Sequence, residues 1–172
     1  MIVLSVPISA QEEAGQPDLD TAIDAKLDAA SYDDLGRVVD LCRRARQKGL
    51  SPDSARFADE LEAATLVLRA GMLVDEVFEG DEPGQQRLRM RTSALKALTA
   101  AIAIDAEIAS AQLMLARLEA LPMGNRDRAL EAAEKAIRLA SDDRLLEARA
   151  RVVRGSLRED DTEKAADFDA AV

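Results

Sequence analysis

Apolar residues recur along this chain at intervals of three and four, and no run sustains a period of two, so helices are expected throughout. After a polar linker at 11–17, a first helix is expected over 18–30, with Leu19, Ala22, Ile23, Leu27 and Ala30 on one face. Ser31, with Asp34 three residues on, has the form of a capped start for a second helix over 32–48. Its stripe is Leu35, Val38, Val39, Cys42 and Ala45. Gly49-Leu50 reads as a left-handed glycine stop, and Ser51-Pro52 as an immediate restart. The third helix is expected from Pro52 to 69, with Phe57, Leu61, Ala64 and Leu68 inward. Gly71 is expected to bend or end it, while the apolar signal continues towards Gly80.

A loop at 81–84 leads to a long helix over 85–104, carrying Leu88, Leu95, Leu98 and Ile102. Helices follow at 107–120, with Ile108, Ala111, Leu115 and Leu118 inward, and from the Asn125 cap to 140. Another is expected at 142–154 behind Ser141, with Leu145, Leu146, Ala148, Val152 and Val153 inward. Gly155 is expected to open a polar loop, and Asp160-Asp161-Thr162-Glu163 to cap a last helix reaching Val172.

The stretch RDRALEAAEKAI, residues 126–137, echoes itself. Ala136-Ile137 recurs 35 residues upstream as Ala101-Ile102 and 35 downstream as Ala171-Val172, and Ala129 recurs as Ala94. A fixed period of that length among helices marks an array of helix pairs. The elements fall into four antiparallel pairs, 18–48, 52–104, 107–140 and 142–172, forming a single domain over 18–172. Ala45 lies 56 residues before Ala101, one period of 35 plus 21, so the second pair is enlarged. The fourth reads as truncated.

Composition narrows the chemistry. Hydrophobic residues make up 48% but aromatics only 2%, so the core must be built from Ala, Leu, Ile and Val, which suits close helix packing and argues against a β-sandwich. The net charge is −10; the bases concentrate in 35–48 (five bases, one acid) and 87–96 (four bases, no acid). Such short clusters in an acidic chain exclude nucleic acid and anionic membrane as expected partners. With no histidine, the commonest general base and metal ligand are missing. The one cysteine, Cys42, lies in an apolar stripe and reads as a small buried hydrophobe. The acid pairs Asp33-Asp34, Asp142-Asp143 and Asp160-Asp161 all stand at helix starts, where capping explains them. No phosphate loop or calcium-loop spacing occurs. The chain is therefore read as no enzyme, with no catalytic residue, cofactor or metal. Residues 1–10, MIVLSVPISA, are too short to span a bilayer and read as the remnant of an export signal, implying a periplasmic or extracellular location. An apolar start packing on the first helix, in a cytoplasmic protein, is the alternative.

The third pair resembles a tetratricopeptide repeat. Gly124, Ala129 and Ala136 match the family's turn glycine and its small residues five and twelve positions later, and Ala136, Ile137 and Leu139 match the run ending its second helix. Asp167-Phe168 before Ala171-Val172 is similar to the second helix of a further repeat. Leu113 and Ala120 stand where that family usually has rings, and Ala106 and Ser141 where proline commonly ends a repeat. The resemblance covers 87–172, and 18–50 more weakly. It implies a right-handed α-solenoid whose first helices line a concave groove for a protein or peptide. Gln112, Arg117, Arg149 and Arg151 are the polar residues it would offer a partner, unless they only form solvated helix faces. Arg87, Arg89 and Arg91, unfavourably placed against a helix dipole, either meet a partner or pair with the acidic stretch 75–82. The function expected is a non-catalytic binding scaffold, the N-terminal repeat region of a larger exported bacterial protein. The alternatives are a positioning module for an enzyme domain after residue 172, and self-association through the C-terminal end.

Overall fold

In the computed structural model, which describes residues 13–81 and 83–172, every regular element is a helix. Among the described residues these are α1 Gln16–Asp28, α2 Tyr32–Lys48, α3 Pro52–Glu79, α4 Gly84–Ile104, α5 Ala109–Glu119, α6 Arg126–Leu139, α7 Arg144–Leu157 and α8 Asp161–Asp169. The apolar segment 1–10, on which the export reading rests, lies outside the described residues.

Local capping chemistry sets most helix starts. The Ser31 hydroxyl accepts from the Asp34 N–H at 3.1 Å and the Asp34 carboxylate accepts from the Ser31 N–H at 3.1 Å, a reciprocal capping box. The Ser31 hydroxyl, then the Ala30 N–H, hold the Asp34 carboxyl below its ordinary value. Asn125 caps α6 through the Arg128 N–H at 2.9 Å, and Asp160 caps α8 through the N–H groups of Thr162 and Glu163.

Several boundaries differ from expectation. α1 begins two residues earlier, because Pro17 fits a helix's first turn, where no N–H is required. Gly71 does not interrupt α3, since helix continues on both sides of it. The cap of α7 is Asp143, accepting from Leu146 N–H, rather than Ser141. α7 also runs through Gly155, which is buried against the Phe168 ring instead of opening a loop. α8 stops at Asp169, short of Val172.

The described chain forms two compact units, one ending at Arg69 and the other Ala70–Val172. In the first, α1 packs along α2, and Ala22, Val38, Leu41 and Cys42 form one apolar cluster. Leu19, Ala45 and Ala58 form another. The start of α1 meets the end of α2 backbone to backbone: the Gly15 N–H donates to Gly49 O at 2.8 Å, and a Cβ on Gly15 would fall 2.0 Å from Ala45 O. Gly49 has a φ of 100°, which suits glycine alone. Of the predicted inward face of α3, Leu61 packs on both clusters, but Phe57 is 45% and Leu68 51% exposed, Ala64 also faces solvent, and Ala58, Glu62, Thr65 and Leu66 are buried instead. Thr65 satisfies itself by donating to Leu61 O at 2.6 Å.

In the second unit each helix from α4 to α8 packs on the next, and α5 also touches α7. The interfaces are alanine: Ala94, Ala97, Ala101, Ala111, Ala116 and Ala150 are all buried, and α6 inserts Ala129, Ala132, Ala133 and Ala136 at i, i+3, i+4 and i+7. Methyl-sized contacts let helices pack at the short end of the roughly 8–10 Å interaxial range. Larger residues expected inward, Leu88, Leu145 and Val152, are among the exposed hydrophobics, as is Leu27 in the first unit.

The turn between α5 and α6 carries the one non-glycine residue with positive φ among the described residues, Met123 at 65° and 89% exposed. Met123→Asn should relieve about 1 kcal/mol of left-handed strain, since Asn tolerates this region. A denaturant melt reads it, and an unchanged or lower midpoint would refute the strain.

Candidate functional site

Three elements of the second unit converge on a groove of about 250 Å³. The final turns of α3 contribute Val74 and Asp75, α5 contributes Leu113, Met114 and Arg117, and the start of α7 contributes Asp143, Leu145, Leu146 and Arg149. Direct contact between α5 and α7 makes the groove floor continuous. Leu113 belongs to the core cluster with Ala136 and Ala150, against which Leu146 packs, so the floor is anchored. Leu145, 62% exposed, rises beside it. The Arg117 guanidinium lies 4.3 Å from the Phe78 ring centroid, a cation–π contact that fixes its position without cancelling its charge. The groove thus offers aliphatic surface bordered by charges of both signs.

The residues expected to meet a partner divide. Arg117 and Arg149 do line this groove. Gln112 does not: it is 3% exposed, and its amide donates to Ala106 O at 3.3 Å, inside the helix pair. Arg151 turns to Glu147 at 2.6 Å and approaches Asp167 at 4.0 Å. Arg87 and Arg91 line a separate cleft with Val77, Gly84, Leu88, Leu121 and Pro122, also of about 250 Å³. There Arg87 donates to Gly80 O at 2.9 Å and Arg91 to Pro122 O at 2.7 Å. Arg89 is solvent-exposed.

Buried carboxylates are what the sequence reading missed. Glu62, 1% exposed, accepts from Arg43 at 2.7 Å and is also paired with Arg46. Arg46 further pairs with Asp59, and Lys48 reaches Asp18 at 2.6 Å. The basic end of α2 is therefore largely internal wiring. Asp167, also buried, takes both arms of Arg154, at 2.5 Å and 3.0 Å, with Arg158 at 3.4 Å. Hydrogen bonds from Arg154 chiefly hold its carboxyl below the ordinary value. Glu119 binds Arg128 at 3.0 Å and the Asn125 N–H at 3.1 Å. One signal was available: in each case arginine stands in the adjoining helix. Burial, then the Glu62 charge, pushes the Cys42 thiol up to about 11, so it stays protonated near neutrality.

Among the described residues no helix is long and apolar enough to cross a membrane, and no group of three or more Cys, Asp or Glu residues is placed to hold a metal ion. Compared with protein-family models, curated proteins and solved structures, the chain matches none of them.

Proposed function

We propose that this chain is a tetratricopeptide-like array of helix pairs acting as a non-catalytic scaffold, and that the α5–α7 groove receives an amphipathic segment of a partner protein. The observation that carries the reading is the convergence of α3, α5 and α7, every second helix of the chain, on one groove, as an array of helix pairs lined by first helices requires. Aliphatic floor and two-signed rim suit a segment whose apolar residues meet Leu113, Leu145 and Leu146 while its charges answer Asp75, Asp143, Arg117 and Arg149. Export, inferred from residues 1–10, would place this binding outside the cytoplasm.

Selection of peptides from a displayed random library tests the reading. Selected peptides should be amphipathic, and their affinity should fall at least about tenfold for Leu145→Asp and for Arg149→Glu, the size of a single interface anchor. Both positions are exposed, so helicity should be unchanged. Peptides that bind both variants as well as the parent would remove the groove from the proposal.

A further inference from the structure

Among the described residues each buried acid is answered by arginine, but one buried arginine is not answered by an acid. Arg91 is 8% exposed. Its Nη1 donates to Pro122 O at 2.7 Å, its Nη2 lies against Gly124, and its buried Nε meets no acceptor. Among the described residues, no carboxylate stands in an ion pair with it. Glu119, at the end of α5, is engaged by Arg128 and the Asn125 N–H instead. A guanidinium stripped of water and given no counter-charge is costly, and the cost falls when an anion arrives.

The surroundings specify that anion. Arg91 lines a cleft of about 250 Å³ that Arg87 also lines. The two are four residues apart on α4, so they share a helix face. None of the described lining residues is acidic, in a chain of net charge −10. The rest of the lining that bears side chains is aliphatic: Val77, Leu88, Leu121 and Pro122. The volume is just under the roughly 300–1,000 Å³ of pockets for drug-sized ligands.

We propose that this cleft binds a small aliphatic carboxylate, its head group at Arg91 and its chain on Val77, Leu88 and Leu121. The site is separate from the groove, and neither reading depends on the other. A planar carboxylate matches the guanidinium fork, and one head group leaves the apolar lining to the chain.

Titration of the intact protein with sodium octanoate, followed by calorimetry and thermal melting, tests this. Saturable one-to-one binding with a rising melting temperature is expected. Octanol, with the same chain and no charge, and inorganic phosphate, with charge and no chain, should each give no comparable rise. Arg91→Gln should abolish binding, but it also removes the brace on the turn at Pro122. Leu88→Glu is the cleaner variant. At a half-exposed position, it supplies a tethered carboxylate, so it should block octanoate and raise the melting temperature of the unliganded protein. Absence of octanoate binding, an equal response to octanol or phosphate, or undiminished binding by Leu88→Glu would overturn the assignment.

Discussion

Replacing Glu62 by alanine is expected to destabilise the unit ending at Arg69 by about 3 kcal/mol, the lower end of the cost of breaking a buried ion pair. The lower end applies because Arg43 and Arg46 are only part-buried and recover some hydration when released. Two effects add: Arg46 Nε, already without a partner, loses its charged neighbour, and a cavity opens beside Leu61 and Cys42. Against a total stability of about 5–15 kcal/mol for a domain, that loss is large. Exchanging Glu62, Arg43 and Arg46 together for methionine should recover most of it, because the only charge left without its partner, Asp59, is part-exposed and can be hydrated. Chemical denaturation of both variants measures the pair. A loss for Glu62→Ala no larger than that for exposed Asp53→Ala would show that Glu62 contributes nothing.

Asp167→Asn should detach α8 from α7 at neutral pH, at a cost also of about 3 kcal/mol, since it leaves Arg151, Arg154 and Arg158 without their shared anion. α8 has weaker anchors besides: Glu163, 59% exposed, reaches Arg158 at 3.3 Å, and Phe168 against Gly155 remains 39% exposed. The parent should show the same detachment in acid. Because folding lowers the Asp167 pKa below 3.8, the carboxylate's stabilisation is complete above that value and is lost as pH falls through the lower folded value. Hydrogen exchange along α8 reads both effects. Similar acid sensitivity of α8 in parent and Asp167→Asn would exclude Asp167 as its anchor.

Sequence reasoning located the helices well and their buried faces less well, for one physical reason. A cap such as Ser31 with Asp34, or Asn125, is satisfied within four residues, so it is readable locally. Burial is decided by what arrives from elsewhere. In α3 the pattern favoured Phe57 and Leu68, but the face turned inward carries Ala58, Glu62, Thr65 and Leu66. Glu62 in the same face is buried because of Arg43 and Arg46, nineteen and sixteen residues away. For the candidate residues the same holds: Arg117 and Arg149 line the groove, whereas Gln112, on the same helix as Arg117, is turned inward. Arg91 stood out only as a cation poorly placed for its dipole, and its isolation became visible once the turn at Pro122 closed over it.

The alanine interfaces carry a consequence for how the helices find their alignment. A face repeating Ala129, Ala132, Ala133 and Ala136 is nearly smooth, and a slip of one turn, about 5.4 Å, would set alanine against alanine again. Contact area alone distinguishes such alignments poorly. Glu62, Glu119 and Asp167 distinguish them better, because a slip of one turn takes each away from at least one of its arginines. They act as index pins, one to a helix junction. The methionine variant of the Glu62 cluster should therefore come close to the parent in stability while its amide spectrum broadens, as α2 and α3 sample neighbouring positions.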